Sequence, residues 1–215
     1  MTDQYKAILF DCDGVIVDTE NISNQILKKQ FARYGLIVDD ALLHERFSGF
    51  TNKKNIETAE KMLGKALPES FEREFREEFQ HTINHHLEPI HGVRQLLGKI
   101  TVPIAMATNA RRDEMEFKLH KIGLAERFAT RFSVDDVSKG KPFPDLYLKA
   151  AAALGVAPED CIVIEDSIAG ITAGRAAGMR VFAFSETLSA DKQTAAGATV
   201  CFDTMEELEK LLGLH

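Results

Sequence analysis

Ala7-Ile8-Leu9-Phe10-Asp11-Cys12-Asp13-Gly14 is the stretch that decides the fold class: an unbroken apolar run gives way to two carboxylates and a glycine. A strand with one wet face alternates apolar and polar side chains. Ala7 to Phe10 does not alternate, so it reads as a central strand of a parallel sheet covered on both faces. In open α/β sheets ligands bind at the carboxyl ends of such strands. Two carboxylates one residue apart serve different chemistry when their surroundings differ, one ionised as nucleophile or metal ligand and the other able to carry a proton. Gly14 lets the chain turn away and admits a ligand to the backbone. Its early place in the run, and the apolar Val15-Ile16-Val17 after it, argue against a calcium loop.

Beyond residue 100, further β-rich runs recur at Val102 to Thr108, Thr130 to Ser133, Cys161 to Glu165, Arg180 to Phe184 and Thr199 to Phe202. Helical patterns separate them, including Leu146 to Leu154, stopped by Gly155, and Ile168 to Ala177, stopped by Gly178. Strands alternating with helices predict an α/β fold with a Rossmann-like parallel sheet core. Residues 19–88 break this rhythm. Ile22, Ile26, Leu27, Phe31 and Tyr34 form one apolar stripe, and Phe71, Phe75, Phe79, Ile83 and Leu87 another at a spacing of four. The reading is therefore a small all-helical domain, 19–88, inserted after the first strand of a core made of 1–18 and 89–215. Its aromatic stripe is that domain's own packing.

Three more strand ends carry polar groups. Thr108-Asn109 supplies a hydroxyl, an amide and backbone N–H groups able to hold phosphate oxygens. Gly140-Lys141-Pro142-Phe143-Pro144-Asp145 places one lysine in a loop stiffened by two prolines, a point charge for phosphate and carboxylates. Glu165-Asp166 is a second acidic pair, which with Asp11 offers the hard oxygen donors that magnesium prefers.

Taken in order, Asp11-x-Asp13-Gly14, Thr108, Lys141 and Glu165-Asp166 resemble the four motifs of the haloacid dehalogenase-like hydrolase superfamily, whose members are mostly phosphatases. The resemblance covers nearly the whole chain. It implies a phosphoric monoester hydrolase in which Asp11 is the nucleophile and Asp13 the general acid and base, while Thr108, Asn109 and Lys141 hold the phosphoryl group. Mg2+ would be bound by the Asp11 carboxylate, the Asp13 carbonyl and Asp166, with Glu165 a ligand or a partner of the ligands. The helical insert resembles the small cap of the subgroup that includes β-phosphoglucomutase and the sugar and polyol phosphate phosphatases. In that subgroup the cap closes over the site. Glu20, Ser23, Phe50, Thr51, Asn52 and Arg111 are the candidates for selecting the substrate. Ser23, Asn52 and Ala110 stand where the mutases have a histidine, an arginine and a hydroxyl, which favours hydrolysis of a sugar, polyol or sugar-acid phosphate over isomerisation. A phosphosugar mutase and a non-catalytic phosphometabolite-binding protein remain the alternatives.

Composition narrows the partners. With 33 acidic against 26 basic residues, the formal charge of −7 disfavours nucleic acid. No apolar run approaches the roughly 18 residues of a membrane span, and the N-terminus lacks a signal-peptide pattern. Cys12, Cys161 and Cys201 are few and set in apolar sequence, so they read as core residues in a reducing cytoplasm rather than a disulfide framework. A monomer is expected. His81 and His85 lack the glutamate of a zinc hydrolase helix between them and read as surface residues.

Overall fold

A computed structural model of the chain describes residues 5–47, 52–186 and 188–214. It divides into two compact units, Met1–Val17 with Glu88–His215, and Asp18–Leu87. The first unit holds the strands β1 (Ala7–Phe10), β2 (Ile104–Ala107), β3 (Arg131–Phe132), β4 (Cys161–Glu165), β5 (Arg180–Phe184) and β6 (Val200–Phe202). The second holds the helices α1 (Thr19–Arg33), α2 (Asp40–Arg46), α3 (Asn52–Leu63) and α4 (Phe71–His86). The remaining α-helices return to the sheet unit: α5 (Val93–Lys99), α6 (Arg112–Lys121), α7 (Asp145–Leu154), α8 (Ile168–Ala176), α9 (Ala190–Ala196) and α10 (Met205–Leu211).

The strands form one parallel sheet in the order β3-β2-β1-β4-β5-β6. From β1 the chain builds outward through β2 and β3, then returns to the other side of β1 and builds outward again through β4, β5 and β6. The direction reverses between β1 and β4, and such a reversal opens a crevice at the strands' carboxyl ends. Register puts Phe10 beside Ile164, and Asp11 N–H donates to the Ile164 carbonyl at 3.0 Å. Asp11 and Glu165 are therefore brought level at the crevice by strand pairing.

Every residue of β1, β2 and β4 is buried, as the non-alternating sequence requires. One apolar cluster joins Leu9, Ala105 and Val163 to Leu146, Tyr147 and Ala150 of α7 and to Ile171 of α8. The second strand is shorter than the Val102 to Thr108 run. Pro103 has no N–H to contribute to a ladder and precedes the strand, its carbonyl accepting from Ile8 N–H at 3.1 Å. Cys12 and Cys161 are buried and Cys201 partly so, all as free thiols.

The helical unit packs around Phe31, whose ring lies 5.7 Å from Phe71, stacked, and 4.8 Å from Phe47. Phe75 and Phe79 stack at 5.8 Å, so the phenylalanine stripe is core. Glu78 faces Lys29 and Gln30 across the α1–α4 contact. His81 and His85 are exposed on α4. Among the described residues no helix is long and apolar enough to cross a membrane.

Candidate active site

Four side chains meet where β1 and β4 end. Lys141 Nζ donates to Asp11 Oδ1 at 2.5 Å and to Glu165 Oε1 at 2.6 Å. The two partners are nearly or wholly buried, with side-chain exposures of 10% for Asp11 and 0% for Glu165, and Lys141 itself keeps 3%. Asp166 completes the group: ligand oxygens of Asp11, Glu165 and Asp166 all lie within 4.8 Å of one another.

The two carboxylates on Lys141 differ in what else they receive. Glu165 Oε1 also accepts from Tyr147 O–H at 2.8 Å, and its Oε2 accepts from Asp166 N–H and Ser167 N–H at 3.0 Å and from Ser167 O–H at 2.9 Å. These donors and Lys141 overcome the cost of burial and hold Glu165 below its ordinary pKa. Asp11 lacks that set. Burial pushes it up to about 7 despite Lys141, with Glu165 adding to the push. Asp166 is driven well above its ordinary value by burial and then by the charges of Glu165 and Asp11. Lys141 goes up strongly, because its two carboxylates outweigh the penalty of burial.

Three carboxylates thus share one ammonium, and the surplus negative charge is what a divalent cation would neutralise. A Cβ added to Gly14 would overlap Asp166 Oδ2, so the carboxylate lies against the bare backbone of the turn after β1. An all-oxygen donor set of this kind fits a hard cation.

The second acid of the first motif, Asp13, accepts from Lys118 Nζ of α6 at 2.6 Å, and Lys118 is largely buried. Thr108 is buried at the end of β2, where its Oγ1 accepts from Ala110 N–H at 3.0 Å, leaving the hydroxyl's own hydrogen as a donor. Asn109 clasps the lysine loop: its Nδ2 donates to the Lys141 carbonyl at 3.0 Å and its Oδ1 accepts from Lys141 N–H at 2.8 Å. A Cβ on Gly140 would come 2.6 Å from Asn109 Oδ1, so the clasp needs glycine there.

A family model described as haloacid dehalogenase-like hydrolase matches residues 8–184. The chain belongs to this family. Among its relatives is the 6-phosphogluconate phosphatase of Escherichia coli, 33% identical over 83% of this chain and 82% of that protein. The β-phosphoglucomutase of Bacillus subtilis is 31% identical over 81% of this chain and 80% of its own length. A solved hydrolase of the same family from Deinococcus radiodurans, with bound phosphate and sodium, superposes with a TM-score of 0.87 at 30% identity, covering 98% of this chain and 96% of that one.

For a haloacid dehalogenase-like hydrolase, the sheet unit brings together Asp11, Lys141, Glu165 and Asp166, with Thr108 and Asn109 at the neighbouring strand end. The substrate-selecting candidates are more scattered. Glu20 and Ser23 lie on α1 and Asn52 opens α3, while Phe50 and Thr51 fall outside the described residues. Arg111 is exposed ahead of α6, with its Nε 3.3 Å from Asp113. Tyr147, Ser167, Lys118 and Gln193 contact the site residues without being singled out by sequence. Ser167 carries a usable signal, because it caps α8 by accepting from Gly170 N–H at 3.1 Å and stands directly after the acidic pair. Tyr147 and Lys118 are ordinary helix residues until the fold delivers them.

Proposed function

We propose that this chain is a magnesium-dependent phosphatase that hydrolyses a small phosphorylated sugar, polyol or sugar acid through an aspartyl-phosphate on Asp11. The observation that carries the reading is buried Lys141, held between Asp11 and Glu165 at the reversal of the sheet with Asp166 beside them. A lysine so placed fixes the nucleophile and presents positive charge to the oxygens of a transferring phosphoryl group. The relative named for 6-phosphogluconate supports the substrate class.

In the first half-reaction an Asp11 carboxylate oxygen bonds to phosphorus as the bond from phosphorus to the leaving oxygen breaks, and Asp13 gives that oxygen its proton. In the second, Asp13 takes a proton from water as the water oxygen bonds to phosphorus. The bond from phosphorus to Asp11 breaks, and inorganic phosphate and the free carboxylate are released. Thr108 and backbone N–H groups at the ends of β2 and β1 orient the phosphoryl oxygens. Mg2+ held by Asp11, the Asp13 carbonyl and Asp166 would supply further charge neutralisation there.

Glu165 works as a partner of these groups rather than a direct metal ligand. A carboxylate offers about four lone-pair sites, and Glu165 already takes hydrogen bonds from Lys141, Tyr147, Asp166 and twice from Ser167. The free thiols fit a reducing cytoplasm.

The test is release of inorganic phosphate from a panel of sugar, polyol, gluconate and nucleotide phosphates, with and without Mg2+, by the wild type and Asp11→Asn. Mg2+-dependent release lost in the variant is expected. Undiminished release by Asp11→Asn, or in chelator, would sink the mechanism. The relationship to β-phosphoglucomutase makes isomerisation the competing reading. Conversion of a sugar phosphate to its isomer without phosphate release would favour it.

A further inference from the structure

Gln193 of α9 is wholly buried, and it meets the site through the backbone of Asp166 rather than through a side chain assigned to chemistry. Burying a primary amide is costly unless its hydrogen-bonding capacity is met. Here Nε2 donates to the carbonyl oxygens of Asp166 at 3.0 Å and Phe184 at 2.7 Å, and Oε1 accepts from Ser185 O–H at 2.6 Å. One side chain therefore ties the end of β5 to the peptide that follows Asp166.

That peptide is held from its other edge as well. Its N–H, on Ser167, donates to Glu165 Oε2 at 3.0 Å, and the N–H of the preceding peptide, on Asp166, donates to the same oxygen at 3.0 Å. Both peptide planes flanking Asp166 are thus pinned by buried side chains, Glu165 on the N–H side and Gln193 on the C=O side. Pinning the two planes fixes the direction of the Cα–Cβ bond of Asp166, which aims its carboxylate at Gly14. Without Gln193 the carbonyl of Asp166 is unsatisfied and the plane is free to turn toward other donors, carrying the carboxylate with it.

We infer that Gln193 is a positioning residue for the divalent cation: it fixes the backbone on which Asp166 presents its carboxylate. The inference rests on the reading that Asp166 holds the metal. Groups that orient metal ligands typically change affinity by about ten- to a hundredfold when removed, and binding to the native state raises the unfolding temperature.

The experiment titrates Mg2+ into metal-free protein and follows the rise in unfolding midpoint, in the wild type, Gln193→Met, Gln193→Ala and Ser185→Ala. Gln193→Met keeps the shape but removes both donors. The alanine variant admits water to the freed carbonyls and serves if the methionine variant does not fold. The Mg2+ concentration for half-maximal effect should rise about tenfold in the Gln193 variants. It should stay within about twofold of wild type in Ser185→Ala, which loosens the same network without releasing Asp166. At saturating Mg2+ the substrate KM should match wild type. A folded Gln193 variant with unchanged Mg2+ response overturns the inference, as does an equal weakening in Ser185→Ala. A wild type with no Mg2+ response overturns the metal reading itself, and this inference with it.

Discussion

The two units of this chain hold themselves together by opposite means. In the helical unit, Phe31, Phe47 and Phe71 share one apolar centre in which every contact favours the folded state. In the sheet unit, three carboxylates crowd around one ammonium at the strand ends, and burial drives Asp11 and Asp166 away from their ionised forms. The first arrangement gains stability from what it buries. The second gives stability up for a charge pattern that a cation and a phosphoryl group would complete. Substitutions should therefore separate the units by sign as well as by size.

The largest effect belongs to Asp11→Asn. Removing the proposed nucleophile, which would act in concert with its neighbours, should lower turnover by about 10⁴-fold or more, read as phosphate release. In chelator, above pH 7 where Asp11 is ionised, the same variant should melt higher than wild type, since it removes one of the crowded negative charges. A lower melting point would break the comparison, because it would mean that the pairing with Lys141 outweighs the crowding. Next comes Phe31→Ala, which should lower stability by about 3–5 kcal/mol in denaturant unfolding. Less than 1 kcal/mol there would show that the aromatic cluster collapses around the gap.

The pH dependence of the metal-free protein sharpens the contrast. A carboxyl whose pKa is raised by folding binds its proton more tightly in the native state, so stability falls as pH rises from its unfolded value through its folded one. Asp11, at about 7 in the folded chain, puts that loss between roughly pH 4 and pH 7, and Asp166, displaced in the same direction, adds to it. In chelator the melting temperature should fall across this window. Asp11→Asn should flatten part of the slope, and Phe31→Ala should leave it unchanged. A wild-type slope of the opposite sign would mean that Lys141 keeps both acids ionised in the folded state.

Much of this was legible before the fold was known, for a physical reason. Strands buried on both faces announce themselves by failing to alternate, and a carboxylate at such a strand's end has few structural reasons to be there. Asp11, Lys141, Glu165 and Asp166 were accordingly readable as a set. The division of labour among them was not. Glu165 and Asp166 are neighbours with the same chemistry in sequence. The donors from Tyr147, Ser167, Lys141 and the Asp166 N–H distinguish the saturated carboxylate from the one that faces Gly14. Asn109 had the type of a phosphate ligand, but its side chain is engaged with the backbone of Lys141, a pairing 32 residues apart that no local pattern records. Gln193 was hidden by its setting, since Ala190 to Ala196 has the composition of an unremarked surface helix.

The smallest effect tests how finely the site is balanced. Tyr147 donates to Glu165 Oε1 at 2.8 Å, the same oxygen that accepts from Lys141, and the lysine ammonium lies 4.8 Å from the centre of the tyrosine ring. Tyr147→Phe keeps the ring and removes one donor from a buried carboxylate, which should cost about 1.5–3 kcal/mol because the acceptor is charged. Part of that loss must appear in catalysis. With one donor fewer, Glu165 draws more strongly on Lys141, and the lysine is held less firmly toward Asp11. We expect kcat to fall about tenfold at saturating Mg2+, with little change in substrate KM, since the ring and the lysine charge both remain. A fall in stability with kcat intact would assign Tyr147 to the core alone, aligning this part of the site with the helical unit's way of holding together. A fall in kcat would place it with the charges.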